Sequence, residues 1–354
     1  MCARKVLGDL GERAIVERLI VDRFESVKNN FDDAAVIGQQ EISGDLVVTT
    51  DACPTPAAFS VLGADMKLFG DMTVLINISD LAAMGARPLG ILISSVMPED
   101  MDVREYEEFL SGVKRTCEKY ACPLIGGNIK DGGEFSSTGT ALGVVPRGKA
   151  LKRSCAGDGD RICVIGRMGL FWSAIAAGQY GVAVPEEEAA VLRRALTQPE
   201  AKLREGQLLS SGGYASACMD SSDSIFTCLR EISIASGVQM VVERRLLKPE
   251  PVVERVAGAV GGQVENYMFS WGDWQLVCTV REKNVDAVRR ELEAMGQAFA
   301  VIGRVVSGKP AVLVEEGANM RPLSMELSSE RFSGVPMLSD GGKVYLEKLK
   351  RAAF

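Results

Sequence analysis

The 354-residue sequence contains no histidine. This absence excludes a Ser-His-Asp triad, a Cys-His dyad, a His-ligated zinc ion and histidine as a general base. Any catalysis must therefore use carboxylates, lysines, backbone amides and hard metal ions such as Mg²⁺, which prefers oxygen ligands.

The cysteine spacing, the length of the apolar runs and the net charge exclude further classes of protein. The nine cysteines form no Cys-x-x-Cys pair, which argues against a zinc ribbon or a disulfide framework. The longest apolar runs, such as residues 89–97, fall well short of the roughly 20 residues that cross a membrane, and the sequence opens without a signal-peptide-like apolar segment. The net charge of −7 argues against nucleic acid and anionic membranes as partners. We therefore expect a cytoplasmic protein.

Length and patterning predict two α/β domains, since a domain averages about 150 residues. The Gly-, Lys- and Arg-rich stretch 146–160 is the predicted boundary. We predict domains at residues 1–150 and 151–312, followed by an extension at 313–354 that is irregular beyond Val314 and weakly helical from Val344 to Arg351.

A lone carboxylate, Asp80, lies within the segment Gly70–Pro88. The apolar, partly β-branched residues Thr73–Ile76 predict the end of a strand, and Leu81–Met84 are strong helix formers. The pattern predicts Asp80 near a helix N-terminus, where its carboxylate would either cap the helix or serve a function.

Several aspartates share this position at the edge of a predicted element: Asp33, Asp51, Asp80, Asp220 and Asp223. Each is open to a plain structural reading as a turn or capping residue. If they meet, their repulsion requires cations between them, which predicts Mg²⁺. Glycine pairs such as Gly126–Gly127 let backbone amides approach a ligand closely, so the set favours phosphoryl transfer. No Walker loop and no kinase glycine-rich loop is present.

A short pattern also occurs twice. Asn77–Asp80 and Asp220–Asp223 both read polar-x-Ser-Asp ahead of a predicted helix. Either the two are ordinary helix caps, or they are traces of a duplication.

Five segments occur in the order and approximate spacing of a known family: Asp32–Val36, Thr49–Asp51, Asn77–Ala86, Leu124–Gly127 and Asp220–Asp223. From about residue 11 to 306 the chain resembles the thiamine-monophosphate kinase family of the aminoimidazole ribonucleotide synthetase superfamily. The resemblance implies a two-domain PurM-like α/β fold, with an N-terminal mixed sheet forming a dimer barrel, helices outside it, and a C-terminal α/β sandwich. It also implies a homodimer that binds ATP and several Mg²⁺ ions.

Site residues follow from the same resemblance. Asp33 and Asp80 are the implied catalytic residues. The implied metal ligands are Asp33, Asp51, Asp80, Asp220 and Asp223. The implied ATP contacts are Thr49, Thr50, Gly126, Gly127, Asn128, Lys149 and Ser222. The implied reaction is a direct in-line transfer of the γ-phosphoryl group to a small molecule.

The chain also departs from the family pattern. Asn128 replaces an aspartate, Ser224 replaces a glycine, Ala58 replaces a histidine and Gly272 replaces a glutamate. The predicted substrate pocket comprises Ala58, Trp271, Gly272, Asp273 and Trp274. Because specificity depends on paired polar groups, we expect an acceptor other than thiamine monophosphate. An authentic thiamine-monophosphate kinase, an ATP-dependent synthetase or cyclo-ligase, and a catalytically weak nucleotide-binding regulator remain the alternatives.

Overall fold

The computed structural model describes residues 5–29, 37–38, 41–323 and 342–354. The predicted site residue Asp33 lies outside these ranges. The contacts divide the chain into two compact units. Unit 1 contains the described residues of 1–56, 64–81 and 86–148, and unit 2 contains those of 57–63, 82–85 and 149–354.

The helices and strands are numbered in chain order. The helices are α1 Glu12–Ala14, α2 Glu25–Asn29, α3 Phe59–Leu62, α4 Met66–Ala83, α5 Val103–Lys119, α6 Leu170–Tyr180, α7 Glu186–Thr197, α8 Leu203–Ser211, α9 Ile225–Ser236, α10 Pro251–Val260, α11 Val264–Met268, α12 Val285–Ala294 and α13 Lys343–Arg351. The strands are β1 Asp45–Cys53, β2 Arg87–Met97, β3 Leu124–Asp131, β4 Ser136–Val145, β5 Asp160–Ile165, β6 Ala215–Asp220, β7 Val238–Glu243, β8 Leu276–Arg281, β9 Phe299–Ser307, β10 Ala311–Glu316 and β11 Asn319–Pro322. None of the helices in the described ranges is long and apolar enough to cross a membrane.

Unit 1 is built on a four-stranded sheet in the order β1-β4-β2-β3. Strand β4 is antiparallel to both β1 and β2, and β3 is parallel to β2. Helix α4 packs so closely on one face that a β-carbon at Gly139 would overlap the side chain of Asn77. This face of the sheet is the inner face, and the opposite one is the outer face.

Helices α4 and α5 cross where glycines remove the side chains between them. A β-carbon at Gly70 would overlap the carbonyl oxygen of Phe109, and one at Gly112 would overlap the carbonyl oxygen of Lys67. The two backbones are therefore in direct contact, which fixes α4 between the sheet and α5.

The predicted strand at Thr73–Ile76 is wrong, because these residues lie in the middle of α4. The consecutive residues Val74, Leu75, Ile76 and Asn77 are all buried, although successive positions lie about 100° apart around the helix. A helix that is buried on several sides loses the apolar periodicity that distinguishes it from a strand. Asp80 consequently lies near the C-terminal end of α4, and the predicted N-terminal position is also wrong.

Unit 2 is built on a seven-stranded mixed sheet in the order β11-β10-β7-β9-β5-β8-β6. The irregular structure predicted directly beyond Val314 is wrong, since β10 and β11 form an antiparallel hairpin there. The weak helix predicted at Val344–Arg351 is confirmed as α13.

Candidate functional site

The best-defined part of the candidate site in unit 1 joins Thr49 on β1 to Asp80 on α4. The hydroxyl of Thr49 donates a hydrogen bond to a carboxylate oxygen of Asp80. Burial alternates along β1, so Thr49 and Asp51 share the inner face that α4 covers. Two residues along a strand place Asp51 about 7 Å from Thr49 on that face.

The position of Asp80 along α4 is electrostatically unfavourable. The C-terminal end of a helix carries partial negative charge from its unpaired carbonyls, which disfavours a carboxylate by about 0.3–1 kcal/mol at an exposed position. Asp80 therefore does not stabilise its own helix as a cap. A carboxylate at a position that disfavours it is a better candidate for a functional ligand than one that caps a helix.

Thr50 lies on the outer face, away from Thr49 and Asp51. Its hydroxyl donates to the carbonyl oxygen of Gly139, at 2.9 Å, and lies 3.0 Å from the hydroxyl of Thr140. The structure therefore separates the two threonines that were predicted to bind the same nucleotide.

The glycine pair lies inside β3, and at Gly127 packing accounts for the glycine. A β-carbon at Gly127 would overlap the carbonyl oxygen of Ile93 on β2. Asn128, the next residue, pairs in register with Ser94 and is exposed on the outer face. Within this unit its side chain is therefore on the face opposite to Asp51.

The donors on the inner face of unit 1 suit a hard cation. Asp51 and Asp80 supply carboxylate oxygens, and Thr49 supplies a hydroxyl. No group of three or more acidic, cysteine or histidine side chains able to hold a metal occurs among the described residues. This is compatible with Mg²⁺, which commonly binds to one or two carboxylates together with substrate phosphates.

In unit 2, Asp220 ends β6 and a tight turn leads into α9. Asp220 is 3% exposed, and the hydroxyl of Ser222 donates to its carboxylate at 3.3 Å. The cap of α9 is Ser224, whose hydroxyl accepts from the amide of Thr227 at 3.1 Å. Asp223 therefore lies before the cap, in the turn.

The proposed duplication is not supported by these geometries. Asn77–Asp80 lie in the body of α4, whereas Asp220–Asp223 lead from the end of β6 into a turn. A four-residue polar pattern is thus shared by two different backbone structures.

A residue that the sequence did not single out, Gln275, fixes the turn after β6. Its backbone amide donates to the hydroxyl of Ser221 and its carbonyl accepts from the amide of Ser221, both at 3.0 Å. Its side-chain amide donates to the carbonyl of Arg167 at 3.0 Å. In the sequence, the only indication of this role is that Gln275 directly follows the Trp271–Trp274 segment.

Lys149 lies in the loop that follows β4, at the start of unit 2. Its carbonyl accepts from the hydroxyl of Ser210 at 2.8 Å, which fixes the loop. Its side chain is exposed, so its ammonium group is accessible to an anionic ligand.

Asp273, predicted in the substrate pocket, caps the N-terminus of α6. Its carboxylate accepts from the amides of Gly169, at 2.7 Å, and Phe171, at 2.8 Å. Burial raises the pKa of Asp273 to about 7, although these amides favour the charged form. The carboxylate is therefore occupied by its hydrogen bonds to the N-terminus of α6.

Gly272 and Trp274 have positive φ angles, 106° and 55°, which residues other than glycine rarely adopt. A β-carbon at Gly272 would overlap the ring of Phe171. The ring of Trp271 lies 5.8 Å from that of Phe171 and 5.1 Å from that of Trp172. The predicted pocket segment is therefore packed against aromatic side chains of α6.

Ala58 also belongs to this neighbourhood of unit 2. It precedes α3 and is 2% exposed. Helix α3 contacts α6, where the side-chain amide of Gln179 donates to the hydroxyl of Ser60 at 3.2 Å. The structure thus brings both parts of the predicted substrate pocket to one helix, α6.

Comparison with known proteins places this architecture in a class. The family model described as AIR synthase related protein, N-terminal domain, matches residues 31–145. The model described as AIR synthase related protein, C-terminal domain, matches residues 157–315. The chain is thus an AIR synthase related protein, and the predicted two-domain PurM-like α/β fold is confirmed, while the dimer barrel stays a prediction.

Individual relatives narrow the class. The thiamine-monophosphate kinase of Synechococcus elongatus is 28% identical over 338 residues, which cover 92% of this chain and 98% of the relative. That of Pyrococcus horikoshii is 30% identical over 248 residues, covering 70% and 74%. The solved complex of AaThiL with AMPPCP and TMP has a TM-score of 0.68 at 23% identity, and covers 93% of this chain and all of its own. The chain belongs to the thiamine-monophosphate kinase family of ATP-dependent kinases.

Proposed function

We propose that this protein is an ATP- and Mg²⁺-dependent phosphotransferase that acts on a small molecule other than thiamine monophosphate. The contact of Gly272 with Phe171 carries the second part of the proposal. The family glutamate cannot be accommodated there, because a β-carbon would already overlap the ring. The neighbouring Asp273 cannot substitute for it, since its carboxylate caps α6.

The phosphotransferase part of the proposal draws on the hydrogen bond of Thr49 to Asp80. In unit 1 we assign Asp80 and Asp51 as Mg²⁺ ligands, with Thr49 holding the Asp80 carboxylate in one orientation. When bound, Mg²⁺ would neutralise charge on the transferring phosphoryl group, which suits a reaction that depends mainly on positioning. Asp33 remains a predicted ligand and catalytic residue outside the described ranges.

Residues of unit 2 are assigned from the turn after β6. We propose Asp220 and Asp223 as metal ligands and Ser222 as an ATP contact. Ser221 and Gln275 hold the turn through paired backbone and side-chain hydrogen bonds. The exposed ammonium group of Lys149 is proposed as a phosphate contact. The AMPPCP in the AaThiL complex supports ATP as the phosphoryl donor.

We further propose a homodimer formed through the outer face of the unit 1 sheet. Leu46 and Val48 on β1 are 48% and 57% exposed on this face, beside Leu142 in register with Val48. Thr50 and Asn128 lie on the same face, so their predicted roles in ATP binding would depend on the dimer. Static light scattering tests the interface: Val48→Lys should halve the mass, whereas Ile234→Lys, at another exposed apolar residue, should not.

The function is tested by incubating the purified protein with Mg²⁺-ATP and either thiamine monophosphate or a small-molecule metabolite extract. We expect ADP and a phosphorylated product from the extract, and little or no product from thiamine monophosphate. Efficient conversion of thiamine monophosphate would overturn the acceptor assignment. ADP and free phosphate appearing only with an amine donor would identify a synthetase, and tight ATP binding without turnover would identify a regulator.

A further inference from the structure

Helix α13 lies against the aromatic side chains of α6 in unit 2. The ring centroid of Tyr345 is 4.4 Å from that of Trp172 and 5.8 Å from that of Trp271. The hydroxyl of Tyr180 donates to Glu347 at 3.1 Å. Tyr345 and Trp172 are fully buried, so the first half of α13 closes over the aromatic surface beside Gly272.

The second half of α13 is anchored by hydrogen bonds. The side-chain amide of Asn266 donates to the carbonyls of Leu349 and Ala352, both at 2.8 Å. The amide of Phe354 donates to the side chain of Gln263 at 2.9 Å. The Phe354 ring is fully buried, with its centroid 4.8 Å from that of Phe269.

The first half of α13 is less well supplied with hydrogen bonds than the second half. The indole N–H groups of Trp172 and Trp271 are buried and have no hydrogen-bond partner among the described residues. Each such buried, unpaired group costs about 1–3 kcal/mol. Gly342, which precedes α13, has no side chain that could cap the N-terminus of this helix. Closure at Tyr345 therefore leaves two buried donors unpaired, whereas the second half of α13 is anchored by three hydrogen bonds.

We propose that the first half of α13 is an autoinhibitory cover, in which Tyr345 occupies an aromatic site that the acceptor reaches only when Tyr345 leaves. This inference rests on the proposed function, because it concerns regulation of the same acceptor site. The second half of α13 stays anchored to Asn266 and Gln263, and the first half moves about this fixed end. A small molecule with hydrogen-bond acceptors would satisfy the two indole groups that Tyr345 leaves unpaired.

The opening itself can be measured without catalysis. Two of the three tryptophans, Trp172 and Trp271, contact Tyr345, so acrylamide quenching of intrinsic fluorescence reports on the cover. We expect at least a twofold larger quenching constant for Tyr345→Ala than for the wild type, and no change for Tyr345→Phe, which keeps the ring. In the wild type, hydrogen exchange should be at least tenfold faster at the amide of Glu347 than at that of Ala352.

The regulatory role is measured by ADP formation from Mg²⁺-ATP and the metabolite extract. At limiting extract Tyr345→Ala should turn over several-fold faster than the wild type, and at saturating extract the two rates should agree. A purely structural role predicts a slower or unchanged rate at limiting extract and would overturn the proposal. If Tyr345→Ala does not fold, Glu347→Lys replaces it, with Glu347→Gln as the control.

Failure of the cover and failure of the proposed function give different results. Equal quenching constants and equal exchange rates, with normal turnover, would overturn the cover alone. Increased quenching with no turnover in any variant would overturn the proposed function and would still support an opening cover.

Discussion

Gly272 and Phe171 pack so closely that no side chain fits between them. The glycine adopts φ of 106°, and the ring that faces it belongs to the first turn of α6. The segment Trp271–Trp274 is therefore shaped by its contact with α6.

Substitution of Gly272 should destabilise unit 2. We expect Gly272→Ala to lower the free energy of unfolding by at least about 1–3 kcal/mol, because the left-handed backbone and the Phe171 ring both oppose a β-carbon. Chemical denaturation measures the change. The matched control is Gly258→Ala, an exposed helical glycine with open space around it, which should gain about 0.5–1 kcal/mol. A tolerated Gly272→Ala would refute the packing argument.

Asp80→Asn should abolish Mg²⁺-dependent ATP turnover while leaving the melting temperature unchanged or slightly higher. The increase is expected because the substitution removes a negative charge from the C-terminal end of α4. Calorimetry and an ADP assay on the same preparation separate the two effects. Asp286→Asn, at the exposed first turn of α12, should retain turnover. Retained turnover in Asp80→Asn would exclude it as a metal ligand.

Thr49→Val should reduce turnover about 10- to 100-fold, less than Asp80→Asn does. A hydrogen bond to a charged group contributes about 1.5–3 kcal/mol, and valine keeps the shape of the side chain but not the hydroxyl. Thr49→Ser keeps the hydroxyl and should retain most of the activity. Steady-state rates at saturating Mg²⁺-ATP provide the measurement, and equal losses in the valine and serine variants would contradict a positioning role.

The carboxyl of Asp273 should make stability depend on pH. Its folded pKa of about 7 lies above the unfolded value of about 3.9, so the folded state binds more protons between these values. Stability should therefore fall as pH rises from about 4 to 7, with a slope of at most about 1.4 kcal/mol per pH unit. Asp273→Asn should lack this contribution. A wild-type curve parallel to that of the variant would show that the α6 amides keep Asp273 ionised.

Sequence patterns predicted the amphipathic elements and failed where burial is complete. The repeat of Tyr106, Leu110 and Val113 on one face indicates helix α5 from the sequence alone, and Asp102, a residue type that favours helix N-termini, caps it. Helix α4 shows no such stripe, since it is enclosed by the sheet and α5. Its identity depends on contacts at Gly70 and Gly112 that no local pattern records.

The candidate site shows the same division. Motif spacing selected Thr49 and Asp80, which the structure joins, but it also grouped Thr49 with Thr50, which the strand places on opposite faces. The role of Asp273 as a cap depends on α6, about 100 residues earlier in the chain. Long-range packing of this kind has no signature in a single sequence.

The arrangement of strands in unit 1 sets an order for its folding. Strand β1 pairs with β4. Residues 45–53 can therefore form their sheet hydrogen bonds only after residues 137–145 have been synthesised. During synthesis at about 5–20 residues per second, this delay is on the order of 5–20 seconds. Thr49 therefore reaches Asp80 only after α4, α5 and the rest of the sheet have been made, and the candidate site is among the last parts of unit 1 to form.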